Sequence, residues 1–436
     1  MALTGRTVLL ALLGSLVVGL LLPSLTGVLV MAGVVVLGVL VDLLLAAPVR
    51  GLRLQRAGAT QVRLGETADV SLLISNPSGR TLRGELRDAW PPSSWPEGTP
   101  PSVSRHTIEV PGQERRRVTT RLQPIRRGDR RAHRVTVRSV GPLGLAARQG
   151  SHVVPWSVRV TPPFTSRKHL PSRLARLRDL DGRASVMLRG QGTEFDSLRE
   201  YVPGDDVRSI DWRATARGRT VAVRTWRPER DRHVLIVLDT GRVSAGRVGD
   251  APRLDAAMDA ALLLAALATR AGDRVDLLAH DRRTRASVQS GNAATALPAM
   301  VEALAGLEPE LVESDPRSMV AAIRRRARRR SLVVLLTGLE TAPVEEGLLP
   351  VLPALTSRHE VVVAAVSDPR VDEMAAARGT LHDIYEAAAA ERTRAERRRV
   401  EAMLGRCGVT VVDRSPEELP PALADTYLAL KAAGRL

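Results

Sequence analysis

The beginning of the chain constrains its fold more than any other feature, because two apolar runs follow one another there almost without a break. The runs cover residues 3–22 and 25–45, and only Pro23 and Ser24 separate them. A membrane-spanning helix needs about 20 apolar residues, and each run supplies them. We therefore predict a transmembrane helical hairpin over residues 1–48, with the membrane contacted through residues 3–45.

Small side chains recur in the first apolar run, where Ala11, Ser15 and Gly19 stand at every fourth position. Such a stripe lets two membrane helices approach closely, so we expect it at the contact between the helices. The alternative is a secretory signal that is cut near Ser24. A second apolar run follows at once and no small-residue cleavage motif precedes that position, so the hairpin is favoured.

Arginine dominates the charge of the chain, which carries a formal net charge of +17 over 436 residues. Lys168 and Lys431 are the only lysines. Such an excess suggests an anionic partner such as nucleic acid or a membrane surface. Because the arginines are spread along the whole chain outside the apolar runs, we expect no nucleic-acid partner.

Arginines also stand at the outer ends of the apolar runs, with Arg6 near the start of the first and Arg50, Arg53 and Arg56 after the second. Positive flanks stay on the cytoplasmic side of a membrane. We therefore expect a multi-pass protein of the inner (plasma) membrane whose soluble domains are cytoplasmic. Cys407 is the single cysteine, which excludes a disulfide framework and fits that compartment.

Residues 49–165 contain short runs of alternating apolar and polar residues, separated by turn signals such as those at residues 76–79 and 111–112. Short strands at this spacing are typical of a β-sandwich of immunoglobulin-like size. We predict such a β-sandwich domain, with a proline-rich loop over residues 91–101. Its residues form no catalytic cluster in the sequence.

Residues 231–436 alternate between strand and helix patterns. We predict strands over residues 233–239, 274–279, 331–337, 360–367 and 408–413, and helices over residues 253–270, 297–304, 318–329, 346–356, 371–404 and 416–433. This alternation predicts a doubly wound, Rossmann-like α/β domain with a parallel sheet. Ligands of such sheets bind beyond the carboxyl ends of the strands, so the loops that start at Asp239, Thr337 and Ser367 are candidates for a site.

Residues 166–230 are predicted to be a linker that carries a signature segment. Four of the ten aromatic residues of the chain fall between Phe195 and Trp226. Acids alternate with arginines there, and Arg–carboxylate forks can lock a loop or present a docking face. The candidate interaction residues are Glu194, Phe195, Leu198, Arg199, Glu200, Tyr201, Gly204, Asp205, Asp206, Arg208, Ile210, Asp211, Trp212 and Arg217.

The segment over residues 190–217, GQGTEFDSLREYVPGDDVRSIDWRATAR, closely resembles the signature of the bacterial "domain of unknown function 58" family. The layout of nearly the whole chain is also similar to that family. The resemblance implies a membrane hairpin, a β-rich region, the signature, and then a von Willebrand factor A-like domain. It further implies a MoxR-type AAA+ ATPase as the partner, and it implies no known reaction.

Von Willebrand factor A-like domains often carry a metal-ion-dependent adhesion site that starts Asp-x-Ser-x-Ser. In this chain Asp239 stands at the first position, but Gly241 and Val243 replace the two serines. Gly338 stands where the resemblance implies a second aspartate. A single carboxylate is a poor ligand set for Mg²⁺, which takes six oxygens in an octahedron. We therefore expect a degenerate site, no metal and no cofactor.

We conclude from the sequence that the chain is a membrane-anchored cytoplasmic scaffold or adaptor rather than an enzyme, with no catalytic residues. One alternative is a cell-envelope enzyme or accessory subunit that uses Asp205, Asp206 and Asp211. Another is a binder of anionic lipid or nucleic acid through the arginine run from Arg324 to Arg330. That run also fits a solvated helix end, where cations are favoured by the helix dipole.

Overall fold

Two units make up the chain, Met1–Thr161 and Pro162–Leu436, and each has its own hydrophobic core. The structure is a computed structural model that describes residues 2–21, 23–187, 194–203, 205–218, 220–227, 232–289 and 292–436.

The first unit opens with two apolar helices, α1 (Gly5–Leu21) and α2 (Leu25–Leu45). Ser24 caps α2, because its hydroxyl accepts a hydrogen bond from the backbone N–H of Gly27 at 3.1 Å. Among the described residues, α2 is the one helix that is long and apolar enough to cross a membrane. The helix α1 is apolar but has only 17 residues.

The first predicted span is shorter than expected, because the chain does not enter a helix at Leu3. Ala2–Leu3 forms a short strand that pairs with Ala146 and Ala147. The Thr4 hydroxyl then donates to the carbonyl of Gly144 at 2.6 Å. The sheet therefore uses residues that the hydropathy pattern alone assigns to the membrane.

The predicted small-residue stripe is wrong in its position. Ala11, Ser15 and Gly19 are all exposed. Gly14 lies at the contact instead, where an added Cβ atom would come within 2.6 Å of the Met31 side chain. A small residue does allow the close approach of the two helices. That residue is Gly14, one position before Ser15 of the predicted stripe.

Asp42 lies in the last turn of α2 and is fully buried. Its carboxylate accepts hydrogen bonds from the backbone N–H groups of Leu143 at 2.7 Å, Leu145 at 2.5 Å and Ala146 at 2.9 Å. A carboxylate at a helix C-terminus is electrostatically unfavourable, and three N–H donors offset that cost. Asp42 thereby joins α2 to the β-sheet part of the same unit.

Largely antiparallel sheets form the rest of the first unit, in which only β3 and β9 among the described pairs are parallel. Their strands are β1 (Ala2–Leu3), β2 (Arg53–Gly58), β3 (Gln61–Arg63), β4 (Ala68–Ser75), β5 (Leu82–Asp88), β6 (Arg105–Val110), β7 (Arg115–Leu122), β8 (Gly128–Val140) and β9 (Ala146–Thr161). One sheet has the order β1-β9-β8-β5-β6, with β3 added to β9, and the other has the order β2-β4-β7. Both contribute to one core, in which Ile74 of β4 packs with Leu86 of β5 and Val137 of β8.

The second unit contains strands and helices in alternation. They are α3 (Leu170–Met187), β10 (Glu194–Glu200), α4 (Trp212–Thr215), β11 (Ala222–Arg227), β12 (His233–Asp239), α5 (Arg242–Ala245), β13 (Arg247–Val248), β14 (Ala251–Pro252), α6 (Arg253–Arg270), β15 (Arg274–His280), β16 (Thr284–Val288), α7 (Ala293–Ala305), α8 (Pro316–Arg326), β17 (Leu332–Leu336), α9 (Pro353–Thr356), β18 (Glu360–Val366), α10 (Pro369–Ala376), α11 (Leu381–Arg406), β19 (Thr410–Arg414) and α12 (Leu419–Ala432).

The main sheet of this unit has the order β16-β15-β12-β17-β18-β19. All neighbours in it pair in parallel except β15 and β16, which are antiparallel. Successive residues of β12 face opposite sides, so Ile236 packs with α6 and α12 while Val237 packs with α8 and α11. The predicted alternation of strands and helices is confirmed, and the antiparallel edge strand β16 was not predicted.

The helix α3 lies in the segment predicted to be a linker, and Leu177 of α3 is buried in the core beside α6. The turn before it is fixed by Asp259 of α6, whose carboxylate accepts a hydrogen bond from the Thr165 hydroxyl at 2.6 Å. The same carboxylate accepts another from the Ser166 hydroxyl at 2.9 Å. This stretch therefore packs as part of the second unit.

Two predicted helices are broken where the sequence carries stop signals. A π-helical turn (Pro343–Leu348) and α9 replace the helix predicted over residues 346–356, because proline cannot continue a helix. The helix predicted over residues 371–404 is divided into α10 and α11. Thr380 and Asp383 form a capping box that starts α11 afresh.

Candidate functional site

The carboxyl end of β12 carries Asp239, which the sequence identified as the first residue of a degenerate metal site. Its Oδ1 accepts hydrogen bonds from the backbone N–H of Gly241 at 2.9 Å and from the Ser314 hydroxyl at 2.5 Å. Its Oδ2 accepts one from the Thr337 hydroxyl at 2.7 Å. Asp239 is only 5% exposed, so protein donors surround the carboxylate.

The other positions of the degenerate site leave no room for the side chains that a metal site of this type would use. A Cβ atom at Gly241 would lie 2.2 Å from the Ser314 hydroxyl oxygen and 2.8 Å from the carbonyl oxygen of Val312. At Gly338 it would lie 2.2 Å from a methyl group of Val243. In the described residues, no group of three or more acids, histidines or cysteines is placed to hold a metal ion. The arrangement holds the strand-end loops together.

Asp281 follows the end of the neighbouring strand β15 and is a residue that the sequence reasoning missed. Its carboxylate accepts hydrogen bonds from the Thr240 hydroxyl at 3.1 Å and from the Arg285 guanidinium at 2.9 Å. Burial raises the pKa of Asp281, but the N–H groups of Arg283, Arg285 and Arg282 outweigh burial and leave it below 3.8. The rule that polar residues at strand ends meet at one edge could have found Asp281.

The signature segment forms a two-stranded antiparallel hairpin, in which Leu198 of β10 is opposite Arg224 of β11. We call residues 194–227 the signature hairpin. Gly204 and the side chains of Glu194 and Phe195 lie outside the described part of the chain. Between the strands, Asp206 and Asp211 each begin a helical turn, because their carboxylates accept hydrogen bonds from backbone N–H groups of the following residues.

Asp211 also pairs with an arginine that the sequence reasoning did not select. Its Oδ1 accepts from the N–H groups of Arg213 and Ala214 at 3.0 Å, and its Oδ2 accepts from Nε of Arg224 at 2.8 Å. The hydrogen bond from Ala214 and the pairing with Arg224 hold the pKa of Asp211 below 3.8. Arg224 is 13 residues away in sequence, and cross-strand pairing brings it back.

Arg199 and Asp205 form a fork of the kind that the sequence predicts for this segment, although it did not single out this pair. Nη1 of Arg199 donates to one carboxylate oxygen at 2.7 Å and Nη2 to the other at 2.5 Å. The backbone N–H of Val202 donates to the same carboxylate at 2.9 Å. The Arg199 fork, followed by the Val202 N–H, holds the pKa of Asp205 below 3.8. The fork thus closes the turn that follows β10.

Apolar side chains remain exposed on the signature hairpin. Trp212 is 67% exposed, and Val202 and Val207 are also more than half exposed. Leu198 and Tyr201 are exposed as well. We call the exposed apolar side chains of the hairpin, which are Leu198, Tyr201, Val202, Val207 and Trp212, the Trp212 surface.

The remaining candidate residues occupy several environments. The side chains of Arg208 and Arg217 are exposed and pair with no acid in the described residues. Ile210 is half-buried and makes an isolated bridge to Val223. Glu200 offers its backbone carbonyl to Nη1 of Arg199 at 3.1 Å. Two of the predicted acids are therefore paired with arginines, and two of the predicted arginines are not paired within the part that the structure describes.

The arginine run from Arg324 to Arg330 straddles the end of α8, which stops at Arg326. Arg326 donates to the Ser287 hydroxyl, and Arg330 donates to the carbonyl of Arg435 at 3.3 Å. Arg324, Arg325 and Arg328 are exposed. The three arginines in the last turn of α8 complement the negative end of the helix dipole, which is a structural role.

Comparison with known proteins gives a family resemblance that covers the signature hairpin and most of the sheet. Residues 197–406 match the family model "Protein of unknown function DUF58". The match covers just under half of the chain.

Mycobacterial proteins are similar over a region of comparable length. "Uncharacterized protein Rv1480" of Mycobacterium tuberculosis (strain ATCC 25618 / H37Rv) and "Uncharacterized protein Mb1516" of Mycobacterium bovis are each 29% identical to this chain over 199 residues. The aligned part is 43% of this chain and 59% of each relative. The chain thus spans about three fifths of the length of the curated relatives that it matches.

Solved structures give only a faint likeness. The CARDB domain of the PF1109 protein from Pyrococcus furiosus, solved in complex with di-metal ions, is 16% identical over 25% of this chain and 86% of that chain, with a TM-score of 0.19. A beta-glucosidase from Listeria innocua is 16% identical over 25% of this chain and 16% of that chain, with a TM-score of 0.16. Scores this low do not establish a shared fold.

Proposed function

We propose that this chain is a membrane-anchored adaptor without catalytic activity, and that its signature hairpin binds a protein partner through the Trp212 surface. The exposure of Trp212 is the observation that carries the proposal. A tryptophan beside other apolar side chains and arginines has the composition of an interface hot spot. Asp206, Asp211 and the fork of Arg199 with Asp205 fix the loops around it, which lowers the entropy that binding would otherwise cost.

The membrane placement in this proposal has α2 as one span and α1 as a second span around which the bilayer is locally thinned, with the sheets of the first unit and the whole second unit in the cytoplasm. The apolar side chains along α1 are exposed to the surroundings, which favours lipid around them. A helix of 17 residues stands at the lower limit of the lengths that cross a bilayer. The arginines that flank the two helices support the orientation.

The fold interpretation in this proposal is a β-sandwich in the first unit and a von Willebrand factor A-like domain in the second. The shared core of the two antiparallel sheets supports the first part. A largely parallel sheet with an antiparallel edge strand and helices on both faces supports the second.

A MoxR-type AAA+ ATPase is the proposed partner, and the resemblance of the signature segment is its support. The exposed guanidinium groups of Arg208 and Arg217, which pair with no acid among the described residues, add a chemical requirement. They favour a partner face that carries carboxylates, because complementary charge steers association and fixes orientation.

An enzymatic role for the acids of the signature hairpin is disfavoured. A general acid needs a pKa raised towards neutrality, and the pKa values of Asp205 and Asp211 are both held below 3.8 by their hydrogen-bond donors. These carboxylates cap turns and pair with arginines. Their geometry serves to hold a surface in place.

The test compares two exposed aromatic residues in the full-length chain in nanodiscs. Trp212→Ala is set against Tyr385→Ala, because Tyr385 is 70% exposed on α11, outside the signature hairpin. Titration with the purified MoxR-type ATPase of the same organism should show binding weakened about tenfold or more for Trp212→Ala, as for a hot-spot residue. Binding by Tyr385→Ala should be unchanged.

Both variants should keep the unfolding temperature of the unaltered chain, since neither side chain is buried. Equal binding by the two variants would overturn the Trp212 surface as the docking site. Absence of binding by the unaltered chain would overturn the choice of partner.

A further inference from the structure

The first unit contains a cavity of about 600 Å³ beside the start of α1. Gly5 and Arg6 line it from α1, Arg83 and Gly84 line it from β5, and Gly141 and Gly144 line it from the turn between β8 and β9. This cavity is a feature apart from the signature hairpin and from the strand-end cluster around Asp239.

Close backbone approaches fix the walls of the cavity. Gly84 has a φ of +156°, and a Cβ atom there would lie 1.9 Å from the carbonyl oxygen of Arg138. Gly144 has a φ of +73°, and a Cβ atom there would lie 2.8 Å from Nη1 of Arg6. Both positions therefore need glycine, and the second makes room for the Arg6 guanidinium. The Thr4 hydroxyl, which donates to the carbonyls of Gly144 and Leu145, ties the turn to α1.

The cavity is positively charged. Arg6 makes no hydrogen bond or ion pair with the described residues. Arg83 pairs with Glu109 at 2.9 Å, but both side chains are more than half exposed and water weakens the pairing. The Asp42 carboxylate lies behind the wall at Gly141, where it accepts hydrogen bonds from three backbone N–H groups and does not line the cavity.

The level of the cavity relative to a bilayer follows from the arrangement of α1 and α2. Gly14 packs against Met31, so α1 and α2 run side by side in opposite directions. The start of α1 and the end of α2 therefore lie at the same level. Nε of Arg148 donates to the carbonyl of Leu43 at 2.8 Å, which places another arginine at that level. If α2 crosses the bilayer, as the proposed function requires, the cavity lies at the depth of the lipid headgroups.

The turn that forms one wall also carries an exposed apolar side chain, Leu143, beside Pro142. An apolar side chain at headgroup depth inserts among the upper parts of the acyl chains. Acyl chains of a lipid in the cavity would continue along the exposed apolar surface of α1. The site thus joins a cationic cavity to an apolar track. These two parts match the anionic headgroup and the apolar acyl chains of a phospholipid.

We propose that this cavity binds the phosphate headgroup of an anionic phospholipid, with Arg6 as the principal cation and Arg83 as the second. The proposal rests on the membrane placement of the proposed function, but it is independent of the docking partner. An arginine near a bilayer surface contributes a several-fold preference for anionic lipid, and a fork geometry suits phosphate. The bound lipid would fix the start of α1 at the bilayer surface.

Native mass spectrometry of the full-length chain, released from nanodiscs of defined composition, tests the proposal. Phosphatidylglycerol should remain bound in preference to phosphatidylcholine. Arg6→Gln should reduce the retained phosphatidylglycerol about fivefold, while Arg6→Lys, which keeps the charge, should retain most of it. The matched control is Arg50→Gln, because Arg50 is an exposed cation that follows the second apolar run. It should change retention less than twofold, roughly the scatter of a site without contact.

Equal retention of the two lipids would overturn the headgroup site. So would equal losses in Arg6→Gln and Arg50→Gln, because that result indicates general surface charge. Inorganic phosphate that displaces the lipid would show a soluble anion site and would likewise overturn the proposal. Release of the unaltered chain from carbonate-washed membranes would instead overturn the membrane anchor itself, so the two failures are distinguishable.

Discussion

The strand-end cluster around Asp239 and the signature hairpin both hold carboxylates in place, but they use them in opposite ways. Asp239 is buried, and its two oxygens are occupied by Gly241, Ser314 and Thr337. On the hairpin, the carboxylates of Asp205 and Asp211 are closer to solvent and hold loops that leave Trp212 exposed. The first arrangement closes a place where folds of this class bind ligands, and the second opens a surface elsewhere.

The difference shows that a carboxylate at the expected topological position is not enough to make a site. Gly241 and Gly338 are positions where side-chain ligands would clash. The hydroxyls of Ser314 and Thr337 donate hydrogen bonds to the Asp239 carboxylate oxygens, which would otherwise be free to coordinate a cation. The exposed groups of the hairpin therefore indicate the function better than the fold does.

The largest expected effect appears when one aspartate is replaced in each of the two regions and the two losses of stability are compared. Asp239→Ala should lower the free energy of unfolding by about 3 kcal/mol, because it leaves one buried donor and two half-buried donors without an acceptor. Asp205→Ala, which removes a partly exposed partner of the exposed Arg199, should lower the free energy of unfolding far less. Thermal unfolding of both variants in detergent provides the measurement.

The response to magnesium tests whether the strand-end cluster around Asp239 is closed to metal ions. We expect Mg²⁺ or EDTA to leave the unfolding temperature of the unaltered chain unchanged. A rise with Mg²⁺ that disappears in Asp239→Ala would show that the cluster rearranges to bind metal and would contradict the closed arrangement.

An intermediate effect is expected from reversing charge beside the Trp212 surface. The double variant Arg208→Glu, Arg217→Glu should weaken ATPase binding about tenfold, mainly through slower association, and the loss should shrink at high salt. The matched control is Arg325→Glu, Arg328→Glu, which reverses two exposed arginines at the end of α8. Stopped-flow association rates at two salt concentrations distinguish them, and equal losses in both double variants would indicate non-specific attraction.

The smallest effect concerns pH. Burial lowers the pKa of His359, and the charges of Arg358, His233 and Arg324 lower it further below 6.5. Protonation therefore favours the unfolded chain, so the stability contribution of neutral His359 is complete above pH 6.5 and is lost as the pH falls from there towards the folded-state pKa. His359→Leu should reduce the fall in unfolding temperature between pH 7.5 and pH 5.5, by no more than about 2 °C.

His382 provides the control for this prediction, since its side chain is largely exposed beside Glu386. His382→Leu should leave the pH dependence as it is in the unaltered chain. An identical pH dependence in His359→Leu would show that His359 does not contribute.

The buried strands could be predicted closely from the sequence. β12 has the predicted bounds, and β18 ends one residue before its predicted end. Strands covered on both faces are continuous apolar runs, and such runs are easily recognised. The helix predicted over residues 346–356 is not continuous, because Pro350 and Pro353 interrupt it.

The candidate sites were less predictable, because they depend on pairing over long distances in sequence. The fork of Arg199 with Asp205 is local and could be foreseen, whereas Arg224 reaches Asp211 only because β10 and β11 pair. Ser314 reaches Asp239 across 75 positions. No spacing rule within a segment reveals such a contact.

The hydrogen bonds of Asp42 have a consequence for biosynthesis. Its nearest partner in sequence, the N–H of Leu143, is synthesised 101 residues later. At translation rates of about 5–20 residues per second, the carboxylate waits roughly 5–20 s for its partners after α2 has been made. In the proposed membrane placement, α2 would carry an unpaired acid at its end during that interval, and this acid would keep the end at the membrane surface until the turn between β8 and β9 arrives. The order of synthesis thus lets the same residue first position the helix and then join it to the sheet.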